Sequence, residues 1–115
     1  MVRGEVWWVN CDLSLGGEIQ KIRPAVIVNN NASNRNLNRV QVVPISSKTS
    51  KLYASEALVT LNGDPRQATS DYIATVSKTR LGGRLSVLSD RDLRLVEIAI
   101  QNQLGLRLPG GSTQA

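Results

Sequence analysis

Up to residue 88 this chain is a succession of short β-branched runs broken by glycine, proline and asparagine, and a helical period begins only after Ser89. Glu5-Val6-Trp7-Trp8-Val9, Ala25-Val26-Ile27-Val28, Val40-Gln41-Val42-Val43-Pro44-Ile45 and Glu56-Ala57-Leu58-Val59-Thr60-Leu61 have the length and residue types of strands. Residues 70–76 alternate well enough for a fifth strand, and residues 84–88 for a short sixth. Asn62-Gly63-Asp64-Pro65 is a strong turn signal. The asparagines of residues 29–38 favour turns and caps over a long helix. Side chains alternate along a strand, so Trp7 and Trp8 must face opposite sides of the sheet, one toward the core and the other free to cover a groove.

Ser89 with Asp92 three positions on is a capping-box variant, and Asp90 and Asp92 favour the positive end of a helix, so the pattern predicts a helix over 90–104. Gly105 stops it. Leu93, Val96, Ile100 and Leu104 form one apolar stripe, widened by Leu95, Ile98 and Ala99. That breadth exceeds what one small sheet need bury, which fits either a dimer contact or a deeply docked helix. The fold expected is mainly β, a strongly curved sheet or small barrel with a C-terminal helix packed on it. A chain of 115 residues makes one domain, here residues 1–108. Residues 109–115 have no apolar anchor and are expected to be a disordered tail.

Composition excludes whole classes of chemistry. The absence of histidine removes Ser-His-Asp and Cys-His triads, paired-histidine RNA cleavage and every usual zinc site. The 9 acidic residues are scattered, so no metal is expected. Cys11 is the single cysteine, which rules out an intrachain disulfide and suits a reducing cytoplasm. No basic leader precedes an apolar run, and no apolar run reaches the roughly 18 residues of a membrane span, so neither secretion nor membrane insertion is expected. The 14 Lys and Arg against 9 Asp and Glu leave a net charge of +5, which favours a polyanionic partner.

One arginine stands out. Pro24 biases Arg23 away from the helical region, so Arg23 should sit extended at the mouth of the apolar strand that begins with Ala25. Upstream, Gly16-Gly17 frees the backbone to bend, and Glu18 lies five positions before Arg23. An acid and a guanidinium on one loop fit a surface ion pair as well as a site.

Arg3-Gly4-Glu5-Val6-Trp7, then Gly16-x-Glu18, then Arg23-Pro24 with a Val/Ile strand resemble the MazF/PemK-like family of toxin endoribonucleases. Val42-Val43-Pro44-Ile45-Ser46-Ser47 is similar to the family's strand ending in a hydroxyl residue, and Lys78-Thr79-Arg80 to its basic residue followed by Thr or Ser. Leu88-Ser89-Asp90 and Leu104-Gly105-Leu106, opening and closing the final helix, extend the resemblance over residues 3–106. The chain departs from the family at Leu13, where proline is common, at Ile19, often glutamine, and at Thr75-Val76, often an acid or amide, so base recognition assigned there does not carry over.

The resemblance implies the small SH3-like barrel of MazF/PemK/CcdB-like toxins, a homodimer, and a type II toxin–antitoxin system with a cognate antitoxin whose acidic or apolar tail occupies the RNA groove. It implies metal-independent, sequence-specific cleavage of single-stranded RNA to a 2′,3′-cyclic phosphate and a 5′-OH, with no cofactor. In this sequence the matching catalytic positions are Arg23, for transition-state stabilisation, and Ser46, for a hydrogen bond to the same phosphate. Glu18 matches a family glutamate that could orient Arg23 or accept the 2′-OH proton. Ser47, Lys48, Lys51, Lys78 and Arg80 are candidates for RNA backbone contacts, and Trp7 or Trp8, Tyr53 and Tyr72 for base stacking. A non-catalytic RNA-binding barrel and a same-fold toxin that poisons gyrase are the alternatives.

Overall fold

Residues 1–10, 22–47 and 49–106 are described by the computed structural model. Seven segments pair as antiparallel strands: β1 (Glu5–Asn10), β2 (Ile22–Ile27), β3 (Arg39–Ser46), β4 (Glu56–Leu61), β5 (Asp64–Thr69), β6 (Ala74–Ser77) and β7 (Leu81–Val87). The strand order is β4-β5-β3-β2-β1-β7, with β6 also on β3. Strand β3 organises the sheet. One edge carries β2, with Ala25 opposite Pro44 and Val26 opposite Val43. The other edge carries β6 along its first half and β5 at its end, where Ile45 meets Ala68 and Ser46 meets Gln67. This change of partner lets β4 and β5 turn away from the rest and curls the sheet into a half-barrel.

Alternation along the strands sends side chains into two apolar clusters. Val6, Val26, Val43, Ile45, Ala57, Val59 and Leu61 bury together on the face that receives the helix α2 (Asp90–Leu104). Val9, Ala25, Ile27, Val40, Val42 and Val76 bury on the other, with Trp7 packed against them. The continuous run in β2 is therefore buried on both faces, as its composition predicts.

Helix α2 begins and ends where its caps predict. The Ser89 hydroxyl accepts the Asp92 N–H at 3.1 Å, and Gly105 closes the helix in the left-handed region at φ 66°. Val96 and Ala99 are buried against the sheet. The buried Asp92 carboxylate accepts the Thr60 N–H of edge strand β4 at 2.8 Å, which ties the helix to that edge and satisfies an otherwise open donor. Arg3 adds a second tie, donating to the Val28 carbonyl at 3.0 Å and pairing with Glu97 at 2.7 Å. Ile98 and Leu104 stay outside this docking, at 40% and 53% exposure.

The sequence expectation needs correction in three places. Residues 70–76 are not one strand: Ser70–Tyr72 form a 3-10 turn, and only Ala74–Ser77 pair with β3. Strand β5 has no strand-like composition, yet it pairs along its whole length with β4. Pro65 is tolerated because it lies beyond the segment that pairs with β3, so its missing N–H breaks no bond there. The predicted sixth strand starts earlier, at Leu81, and takes in Gly82 and Gly83. The polar stretch after β2 forms a short helix, α1 (Asn31–Asn36), whose first turn is capped by the Asn30 side chain accepting the Ser33 N–H at 2.8 Å. Asn62 and Gly63 both have positive φ, 51° and 87°, and make the tight hairpin between β4 and β5 that the Asn-Gly signal predicts. The proposed tail, residues 109–115, lies outside the described residues. No described helix is long and apolar enough to cross a membrane.

Candidate active site

The β2–β3 ladder ends at Ala25 opposite Pro44, and Arg23 and Ser46 each lie two residues beyond it, at the adjoining ends of the two strands. Both line a groove of about 620 Å³ at the end of the half-barrel. Its floor is the outer end of the apolar core, Ile45, Leu61 and Leu85. Trp8, Ile22 and Pro24 form one wall, and Ser47 lies beside Ser46. Asn62, Asp64 and Arg66 reach in from the β4–β5 hairpin on the other side.

Arg23 is exposed, and among the described residues no carboxylate pairs with it. A guanidinium carries a planar fork of donors that matches two oxygens of a phosphate. Ser46 is half-buried at the last position of β3. Trp8 is 38% exposed and lies across from Pro24, whereas Trp7 turns to the opposite face and donates its indole N–H to Glu5 at 3.1 Å. The β1–β7 register is irregular on both sides of Trp7, leaving Trp8 without a partner in β7. A Cβ on Gly82 would sit 3.4 Å from that of Trp8, so β7 passes close under the exposed indole.

Glu5 belongs to the scaffold and not to the groove. Burial pushes its carboxyl up, but hydrogen bonds from the Val2 N–H, the Trp7 indole and Arg84 outweigh this and hold it below the usual range. The described residues contain no cluster of three or more His, Cys, Asp or Glu that could hold a metal ion. The groove combines two guanidinium groups, one carboxylate, two serine hydroxyls and an indole over an apolar floor, a set suited to a phosphate flanked by a base.

Residues 2–104 match the family of PemK-like, MazF-like toxins of type II toxin–antitoxin systems. The chain belongs to this family. The endoribonuclease MazF9 of Mycobacterium tuberculosis is 30% identical over 115 residues, spanning 92% of this chain and 98% of the relative. A solved endoribonuclease from a mycobacterial species matches with a TM-score of 0.76 at 27% identity, covering 95% of each chain. Another, in complex with its cognate antitoxin, shares the fold with a TM-score of 0.79 at 24% identity, covering 95% of this chain and 99% of that one. The barrel with a C-terminal helix is thus the family's architecture.

Of the residues singled out from the sequence, Arg23, Ser46, Ser47 and Trp8 meet in the groove. Glu18 and Lys48 lie outside the described residues. The others stand elsewhere. Lys51, Tyr53 and Tyr72 are exposed but do not line the groove. The Lys78 ammonium donates to the Asn34 carbonyl oxygen and so ties α1 to the turn after β6. Arg80 donates to the Asn10 carbonyl at 3.4 Å, at the end of β1. Arg66 and Asp64 were missed, and the Asn-Gly hairpin was the signal that could have found them. A tight turn after Leu61 makes residues 64 and 66 neighbours on one face of the returning strand.

Proposed function

We propose that this toxin is an endoribonuclease that cuts single-stranded RNA without a metal, acting in the cytoplasm and leaving a 2′,3′-cyclic phosphate and a 5′-OH. The observation that carries the reading is that Arg23 and Ser46, at the adjoining ends of β2 and β3, line one groove with an exposed indole on its wall. RNA brings its own nucleophile. The ribose 2′-OH attacks the adjacent phosphorus, the bond to the 5′ oxygen breaks, and the proton lost by the 2′-OH is balanced by one gained at the leaving oxygen. What the enzyme must supply is in-line orientation and stabilisation of the extra charge on the phosphoryl oxygens. Arg23 does this with two parallel N–H donors and Ser46 with its O–H, while Trp8 stacks on a flanking base. Glu18, the nearest acid to Arg23 in the sequence, is assigned either to orient that guanidinium or to accept the 2′-OH proton.

The name of the M. tuberculosis relative, an endoribonuclease, supports this assignment. The mycobacterial structure solved with its antitoxin supports a protein partner, and we assign that partner to the same groove, where it occludes RNA. Incubation with RNA should yield fragments that all begin in 5′-OH when their ends are mapped. RNA bound but left intact would instead favour a non-catalytic RNA-binding barrel, and intact RNA with binding to gyrase would favour a gyrase-directed toxin. The outward-facing Ile98 and Leu104 of α2 favour a homodimer through or beside this helix. Light scattering at micromolar concentration should return twice the chain mass, and a monomer mass throughout would contradict the dimer.

A further inference from the structure

Arg66 enters the groove from the side opposite Arg23. Strands β2 and β5 flank β3, so the two guanidinium-bearing strands stand on either side of Ser46 and Ser47. The β3–β5 ladder ends with Ser46 opposite Gln67, so Arg66 and Ser47, the next residue of each chain segment, leave it at the same end, and both line the groove. Arg66 is half-buried above the core end formed by Ile45 and Leu61. Among the described residues its polar partner is Asp64, at 3.7 Å, too long for a hydrogen bond. Asp64 follows the Asn62-Gly63 turn and shares a face of β5 with Arg66, so the hairpin itself holds the carboxylate beside the fork.

This arrangement is a cation kept in place by a weak, exposed anion. Asp64 is 69% exposed, and water screens its hold on Arg66. A neutral base edge gains little by competing with a carboxylate for a guanidinium, whereas a phosphate replaces it with two well-aligned acceptors. We propose that Arg66 binds the phosphate next to the scissile one, with Asp64 standing in for that phosphate until RNA arrives. The proposal rests on the endoribonuclease reading of the groove. Arg23 and Arg66 then grip successive linkages of one strand from opposite walls and stretch it across the serines of β3.

The test is the salt dependence of binding, read by fluorescence anisotropy on a single-stranded RNA oligonucleotide with deoxyribose at the mapped cut position. Arg66→Gln should weaken binding about tenfold, the loss of one charge-assisted contact. Its plot of log affinity against log salt should become shallower by about 0.7, one phosphate's worth on a single strand. Arg66→Lys keeps the charge and should keep the slope, and Asp64→Asn should bind about threefold tighter as the competing anion is removed. Asp64→Asn keeps the proposal testable even if Arg66→Gln does not fold. An unchanged slope in Arg66→Gln overturns the proposal, whether affinity holds, so that Arg66 is idle, or falls, so that it reads a base. Unchanged or weaker binding by Asp64→Asn overturns the role given to that carboxylate. If wild-type protein cuts RNA while these variants fail the test, Arg66 alone is misassigned. If wild-type protein leaves RNA intact, the endoribonuclease reading falls with it.

Discussion

Arg23→Ala is expected to lower the cleavage rate by about 100-fold or more, the roughly 3 kcal/mol typical of one lost charged donor to a transition state, and to leave the fold intact. The side chain is exposed at the start of β2, while the residues that hold the strand, Ala25, Val26 and Ile27, are all buried beyond it. Removing the guanidinium therefore creates no cavity and orphans no described carboxylate. Arg23→Lys should recover little, because an ammonium keeps the charge but cannot present two parallel donors to two oxygens. Ser46→Ala should lose less than Arg23→Ala and more than Ser47→Ala, since Ser46 is held half-buried at the last position of β3 whereas Ser47 is exposed beyond the strand. Single-turnover rates on one oligonucleotide, with thermal melts of each variant, measure all of this. Near-normal cleavage by folded Arg23→Ala removes the residue from the site, and a larger loss at Ser47 moves the hydroxyl role one position along.

The features that were legible in the sequence are those written locally. Ser89 and Gly105 delimit α2 because a cap needs only neighbouring atoms, an N–H to accept or a left-handed turn to allow. Asn62-Gly63 made its hairpin for the same reason, and the opposed faces of Trp7 and Trp8 follow from alternation alone. The resemblance to a toxin family added Ser46, whose meeting with Arg23 depends on pairing between β2 and β3 and is not readable from either segment by itself. Strand β5 was illegible because Asp64-Pro65-Arg66-Gln67-Ala68-Thr69 lacks β-branched residues until its end and is held by β4, not by its own propensity. With β5 unseen, Arg66 had no place to point. Lys78 shows the converse: a cation read as part of the family's basic motif and as a candidate for RNA contact is engaged by a carbonyl of α1, a contact between residues far apart in the chain.

Replacing the one ribose 5′ of the scissile phosphate by deoxyribose is expected to stop the cut altogether while the oligonucleotide still binds. If the attacking group is the substrate's own 2′-OH, its removal leaves nothing for Arg23 and Ser46 to assist, however well they hold the phosphate. Deoxyribose elsewhere in the strand should leave the rate nearly unchanged, which separates a missing nucleophile from a general preference for RNA. EDTA should have little effect, because the chain has no histidine and its described acids form no cluster that could grip a metal. The ends carry the same information as the rate. Attack by the 2′-OH expels a 5′ oxygen and leaves the phosphate on the other fragment as a ring, whereas attack by water from the opposite side leaves 5′-phosphate and needs an activated water that neither a guanidinium nor a serine supplies. Cleavage of the deoxy-substituted oligonucleotide, or fragments that begin in 5′-phosphate, would mean that water is the nucleophile. The chemistry assigned to Arg23 and Ser46 would then be wrong, although membership of the toxin family would stand.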